Sequence, residues 1–250
     1  MNVGEGLNQK RARILNRTLV LNILRRTGEI SRAELARRSN LRQATITNIT
    51  KELISLGYVR ETGFLSGKGG RRSVGLEIDE TRFRIIAARL TRFHVTVGLF
   101  TVMGTELSET RETVSAAGGP GTALDAIADV VNSVADQEGR ENVIGFGLAV
   151  PGPFSQSESH ILLVTGFPGW DRVPLHEELA RRIDLPLVLA HDANAAAMAE
   201  WWVGAGSAGH YTSMLAFIGG QGVGAGIILN NGEILTGKLG TAGEIGRAHV

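Results

Sequence analysis

Residues 191–200 read HDANAAAMAE, a histidine, an aspartate and an asparagine at the mouth of an alanine-rich run that can only be helical. The apolar LPLVLA before them reads as a buried strand. Asp192 therefore stands where many α/β enzymes hold a general base, at the carboxyl end of a strand. Two more clusters close apolar runs: Val150-Pro151-Gly152-Pro153 and Gly219-Gly220-Gln221-Gly222-Val223-Gly224. The three together could line a polar pocket for a small polyhydroxylated ligand, or the glycines could simply turn the chain. Spacing alone leaves both readings open. The absence of cysteine excludes disulfides, thiolate metal sites and cysteine nucleophiles, and fits a reducing compartment.

A second group of residues points to a different chemistry. Arg42, Gln43, Thr45, Thr47, Asn48 and Lys51 are hydrogen-bonding side chains on one predicted helix, with no acid among them before Glu52. A helix that reads base edges needs such donors and acceptors near its N-terminus and cations for phosphates along its side. A structural helix would instead mix Glu and Lys for i,i+4 pairs. Downstream, Lys68, Arg71 and Arg72 sit among glycines in FLSGKGGRRS, a loop suited to phosphates or a narrow A·T minor groove. The charge supports this division. Residues 1–75 carry 15 Lys/Arg against 5 Asp/Glu, and residues 76–250 carry 11 against 20, so a block of +10 precedes one of −9 in a chain of net +1. A basic block beside an acidic one implies two domains with different partners, the first a polyanion.

The elements that would position these residues follow from periodicity. RILNRTLVLNILRRTG places Leu19, Val20, Ile23 and Leu24 on one stripe of a helix stopped by Gly28. Ser31 and Glu34 have capping-box spacing at the start of a second helix. A third helix follows the turn at Asn40-Leu41, with Ile46, Ile49, Leu53 and Leu56 as its buried stripe and Gly57 as its stop. YVRETG and VGLEID then read as a two-stranded wing around the basic loop. Three short helices, a wing and the positive charge predict a winged helix-turn-helix over residues 1–78.

Beyond it, FRIIAARLT, HVTVGLFT and TELSETRETV read as successive strands, TALDAIADVVNSVADQEG as a helix and VIGFGLAVPGPF as a strand covered on both faces. PLHEELARRI, LPLVLA and ANAAAMAEWWVG continue as helix, strand and helix, and TSMLAFIGG pairs with GVGAGIILNNGEIL. The alternation predicts an α/β fold with a mostly parallel sheet and a helix layer over residues 82–250. At 250 residues and 43% hydrophobic content the chain can bury a full core in more than one domain. MNVGEGLNQKRAR has no secretory h-region, and no apolar run approaches the ~20 residues of a membrane span. A soluble, cytoplasmic protein without a membrane partner is expected.

RILNRTLVLNILRRTGEISRAELARRSNLRQATITNITKELISLGYV, GGRRS, FGLAVPGPF, FPGW, LVLAHDANAAAMAEWWVGAG and GGQGVGAGIILNNGEILTGKLGTAGEIG together resemble the ROK family (repressors, open reading frames, sugar kinases), specifically its transcriptional regulators. The resemblance implies a winged helix-turn-helix followed by an actin-like, ribonuclease H-like sugar-kinase-type ROK domain. It further implies that the second lobe is incomplete here. Family regulators run well over a hundred residues further. Arg247-Ala248-His249-Val250, with part of Glu244-Ile245-Gly246, is expected to be read-through beyond a truncated gene. An unfinished second lobe should show apolar strand edges to solvent.

The resemblance also bears on Asp192. Family kinases hold ATP phosphates on an Asp-x-Gly-Gly-Thr loop after their first strand, and the matching stretch here, AARLTRFHVTV, has neither glycine nor acid. Their second phosphate loop reads Gly-Thr-Gly, against Gly219-Gly220-Gln221-Gly222 here, and the Asn before their base is His191. Asp192 matches the base in position, but a base needs a phosphoryl donor held in line, so it is expected to bind hydroxyls and not to catalyse. The family's sugar-contacting Asn, Glu and His correspond to Gly166, Glu244 and Arg247, and its structural zinc, which needs that His and three cysteines, cannot form. The expectation is a non-enzymatic regulator of carbohydrate metabolism with operator DNA and a sugar or sugar derivative as partners. DNA-binding residues would be Arg42, Gln43, Thr45, Thr47, Asn48, Lys51, Lys68, Arg71 and Arg72, and effector-binding residues His191, Asp192 and Glu244. No cofactor or metal is expected, and the full-length form is expected to be a homodimer or larger. Two rivals stay open: a sugar or amino-sugar kinase with an accessory DNA-binding domain, and a constitutive DNA-binding protein that senses nothing.

Overall fold

A computed structural model describes residues 3–65, 73–91, 93–113, 119–155, 160–161, 169–208, 211–219, 222–230, 232–238 and 240–246. The chain separates into two units at the Phe83–Arg84 boundary. The first opens on a long helix, α1 (Val3–Thr27), closed by Gly28 at φ 66°. A two-residue strand, β1 (Ile30–Ser31), leads into α2 (Arg32–Ser39). Ser31 caps this helix, its Oγ accepting from the Glu34 backbone N–H at 3.3 Å. The Glu34 carboxylate turns instead to Arg37 and Arg38, so the box forms by half. Asn40, left-handed at φ 55°, ends α2 and turns the chain into α3 (Gln43–Ser55). Gly57, at φ 79°, releases it into β2 (Val59–Leu65), which pairs antiparallel with β3 (Ser73–Ile78). The basic loop tip, including Lys68, Arg71 and Arg72, lies outside the described residues.

Val20, Leu24, Leu35, Ile46, Leu53 and Leu76 form the core of this unit. Two stripe assignments are corrected by the structure. Leu19 is 39% exposed and Leu56 45% exposed, because Leu19 sits one position off the Val20–Leu24 line and Leu56 is already the C-cap of α3. Two features were not legible: α1 starts well before its apolar stripe, and β1 joins β3 as a third wing strand through Ile30 opposite Leu76.

The second unit begins with β4 (Arg84–Leu90), β5 (His94–Thr101) and β6 (Glu106–Thr113). A twenty-residue helix, α4 (Gly119–Glu138), leads to β7 (Val143–Val150), then the short β8 (Phe154–Ser155) and β9 (His160–Ile161). Next come α5 (Leu175–Ala180), β10 (Leu187–His191) and α6 (Asp192–Trp202). The chain then forms β11 (Met214–Gly219), β12 (Val223–Leu229), β13 (Glu233–Ile234) and β14 (Glu244–Gly246).

The main sheet runs β10-β7-β4-β5-β6. It is not mostly parallel. The pairs β10–β7 and β7–β4 are parallel, whereas β4–β5 and β5–β6 are antiparallel. The connections decide this: α4 and α5 permit same-direction returns, while the short turns after β4 and β5 can only reverse the chain. One face buries Ile86, Leu90, Val97, Phe146 and Leu148 under Leu124, Ile127 and Val131 of α4. In the β11–β12 sheet, α6 packs Ala197 and Trp201 on Ile228, while Leu215 and Phe217 of β11 face solvent at 52% and 64% exposure. Among the described residues no helix is long and apolar enough to cross a membrane.

Candidate functional site

In the first unit, α3 presents the predicted residues on its outward side. Arg42 is its N-cap and exposed, and Gln43, Asn48 and Lys51 are exposed along it. Thr45 and Thr47 are half-buried. Thr47 Oγ1 donates to the Gln43 carbonyl at 2.9 Å, so its hydroxyl is engaged within the helix. The buried side, Ile46, Ile49 and Leu53, anchors the helix and leaves the polar side clear. Its only acid, Glu52, is taken by two arginines of α1: Arg13 Nη2 lies 2.9 Å from Oε1, and Arg17 donates through Nε to Oε2 at 3.1 Å. Sequence reading missed Arg13 and Arg17, whose partner is 35 or more positions away.

In the second unit, strand ends converge on one place. Val150 of β7 pairs with His191 of β10, and Gly224 of β12 pairs with Glu244 of β14. A Cβ placed on Gly224 would lie 4.0 Å from His191 Cε1, so the three motif clusters are neighbours. His191 is buried, with Nε2 3.1 Å from Glu244 Oε1 and 3.3 Å from Asp192 Oδ1. Nε2 therefore faces a carboxyl oxygen of each acid. His191 Nδ1 and Asn194 Oδ1, also buried, have no hydrogen-bond partner among the described residues. Burial raises the Glu244 pKa above its ordinary value; His191 opposes the shift and Asp192 adds to it. All three expected effector residues are thus brought together. Gly166, Arg247, Gly220 and Gln221 lie outside the described residues.

The other Asp192 oxygen is occupied as well. Arg89, on β4, places Nη2 3.3 Å from Asp192 Oδ2. The turn after β4 is closed on itself, Thr91 N–H donating to the His94 carbonyl at 2.9 Å. Asp192, the first residue of α6, also has the favourable N-terminal end of a helix beneath it. The arrangement offers two carboxylates, an imidazole and a guanidinium in one place. Such a set can exchange hydrogen bonds with several hydroxyls.

The sequence profile of the ROK family matches residues 86–250. The chain belongs to the ROK family. A MarR family profile matches residues 15–62, over the three helices and the first wing strand. The chain is 29% identical over 238 residues to a xylose repressor of Caldicellulosiruptor bescii, an alignment covering 94% of this chain and 59% of the relative. It is 31% identical over 246 residues to the DNA-binding transcriptional dual regulator NagC of Escherichia coli K12, covering 94% and 57%. Among solved structures, a ROK family transcriptional regulator, a homologue of the E. coli MLC protein, superposes with a TM-score of 0.78 at 24% identity, covering 96% of this chain and 60% of that one. That likeness carries the fold: a winged helix-turn-helix followed by a ROK domain. The chain spans just under three-fifths of the length of these curated relatives.

Arg89 is the ROK-domain site residue that sequence reading missed. Its signal was available, since it is the one charge between Ile85 and Leu90 in an otherwise apolar strand. Its partner is 103 residues away, and only the parallel β4–β7–β10 order brings the two strand ends together.

Proposed function

We propose that this chain is the DNA-binding and effector-sensing part of a sugar-responsive transcriptional regulator, acting as a repressor in carbohydrate metabolism, without phosphoryl transfer. The observation that carries the reading is the outward side of α3, where Arg42, Gln43, Asn48 and Lys51 are exposed and the only acid is neutralised by arginines. Thr45 and Thr47 flank them, and Lys68, Arg71 and Arg72 of the wing loop would add phosphate or minor-groove contacts. The names of the xylose repressor and NagC support the same reading.

His191, Asp192 and Glu244 would hold the effector's hydroxyls. The unpartnered His191 Nδ1 and Asn194 Oδ1 are positions that a hydroxyl donor would satisfy. With its carboxylate shared between Arg89 and His191, Asp192 is a recognition residue. Ligand would shift the population between forms that fit the operator and forms that do not. A dimer would set two α3 helices one helical turn of duplex apart, roughly 34 Å, on a pseudo-palindrome in the cytoplasm.

Selection of bound duplexes from a random library tests the first half. An enriched inverted repeat is expected, and recovery without enrichment would refute sequence-specific binding. Thermal shift against pentoses, hexoses, amino sugars and their phosphates tests the second half. No shift would favour a constitutive DNA-binding protein, and sugar-dependent ATP consumption abolished by Asp192→Asn would favour the kinase.

A further inference from the structure

The N-terminal half of α1 extends past the core and stands beside α3. Between them runs an open groove of about 720 Å³, walled by Gln9, Arg13 and Asn16 of α1 and by Thr45, Asn48 and Lys51 of α3, with Ile49 at its floor. Most of the side chains that line it are polar, although apolar atoms, including those of Ala12 and Ile49, make up the larger part of its wall, and Glu52 is the only acid among them. That carboxylate is doubly claimed. Arg17, only 29% exposed, binds it from the core side, while Arg13, 64% exposed, reaches it from the mouth. Two guanidiniums on one carboxylate leave a surplus positive charge. Because Arg17 alone can satisfy Glu52, Arg13 can leave without stranding a half-buried anion.

We propose that this groove receives a stretch of DNA sugar-phosphate backbone, and that Arg13 exchanges the Glu52 carboxylate for a phosphate when duplex binds. This rests on the DNA-binding reading above and adds a second element, α1, to the interface. The amides of Gln9, Asn16 and Asn48 supply neutral donors along the path, and Lys51 supplies a second cation. Glu52 then has a defined part: it holds Arg13 in reach while the protein is free and sets an electrostatic threshold against phosphates that do not dock fully. Glu52 is a specificity-setting residue although it is itself an anion at a polyanion's surface.

The experiment uses the whole chain and four proteins: wild type, Glu52→Gln, Arg13→Ala and the double variant. Binding of a labelled non-cognate duplex is measured between 50 and 200 mM salt, with helical circular dichroism and thermal midpoint as fold checks. Glu52→Gln keeps the shape of the side chain and frees a guanidinium. It should bind severalfold more tightly, because Arg13 no longer leaves a carboxylate, with log K against log salt close to the wild-type slope, since the same phosphate is reached. Arg13→Ala should be shallower by up to ~0.9 for the one phosphate lost, and the double variant should lose the gain of Glu52→Gln. A purely structural Glu52 would instead lower the midpoint and weaken binding. A wild-type slope in Arg13→Ala, or wild-type affinity in Glu52→Gln, overturns the proposal while leaving DNA binding standing. Absence of salt-dependent binding in the wild type removes the proposal together with the reading beneath it.

Discussion

Arg89 and Asp192, 103 residues apart, meet at 3.3 Å between Nη2 and Oδ2, so the aspartate that opens α6 is tied to a cation from β4, the first strand of the main sheet. The pair is too open to contribute much stability, since Arg89 is about half exposed. Its consequence is orientation. With Arg89 on one oxygen and His191 on the other, Asp192 is fixed in plane and presents its remaining lone pairs in set directions.

Arg89→Ala should therefore leave the thermal midpoint nearly unchanged and weaken effector binding about tenfold, the scale of one lost charge-assisted hydrogen bond. Calorimetric titration with a sugar that shifts the wild-type melt makes the comparison. Equal affinity in both proteins would show that the ion pair plays no part in recognition.

Glu244 makes stability depend on pH. Its folded-state pKa is raised, burial being the main cause with Asp192 adding to it. The contribution of this carboxyl is therefore fully present below its ordinary value of 4.5 and is lost as pH rises through the elevated folded value. Glu244→Gln, neutral throughout, should not share this loss. Midpoints of the two proteins should diverge upward from about pH 4.5, with the variant gaining relative to wild type. Parallel curves would contradict the assignment.

Much of this fold could be read before the structure, because its elements announce themselves locally. Ser31 and Glu34, Gly57 and the Ile46–Ile49–Leu53 stripe are short-range signals, and each element stands where they place it. The convergence of His191, Asp192 and Glu244 was legible only through the family resemblance, for no spacing links residues 191 and 244. What could not be read are the long-range relations. The antiparallel β4–β5–β6 half of the sheet, the β1–β3 pairing and the ion pairs of Arg89, Arg13 and Arg17 depend on which elements become neighbours. Leu19 and Leu56 show the same limit at smaller scale: hydrophobic character alone does not fix which side of a helix end meets the core.

The separate core of the first unit makes a test of its independence. Leu35 is fully buried among Val20, Leu24, Ile46 and Leu76. Leu35→Ala should cost about 2–5 kcal/mol there and abolish duplex binding. The sugar-induced thermal shift of the second unit should survive. Loss of both responses together would mean that the units fold as one.

Leu215 and Phe217 alternate outward along β11 and leave an apolar strip in solvent. Such a strip invites self-association. Replacing both by serine should raise the soluble, monodisperse fraction in sedimentation velocity without lowering the melting midpoint. A lowered midpoint would indicate that these side chains are buried in solution.

Gly226 sets the distance between α6 and the strand beneath it. A Cβ at this position would lie 2.3 Å from the Ala193 carbonyl oxygen and 2.4 Å from Ala197 Cβ. Neither neighbour can rotate away, since one is helix backbone and the other has no rotamers, so Gly226→Ala must lift the first two turns of α6 off β12. The helix begins at Asp192 with His191 as its N-cap, so both candidate effector groups would move with it. Overpacking of this kind costs about 1–3 kcal/mol, and the effector affinity should fall with the midpoint. Ala197→Gly in the same chain removes one of the two clashes and should restore part of both. Gly147→Ala is the matched control, a glycine on the central strand β7 with open space where its Cβ would go. If the two alanine variants melt and bind alike, contact between α6 and β12 is not what positions Asp192.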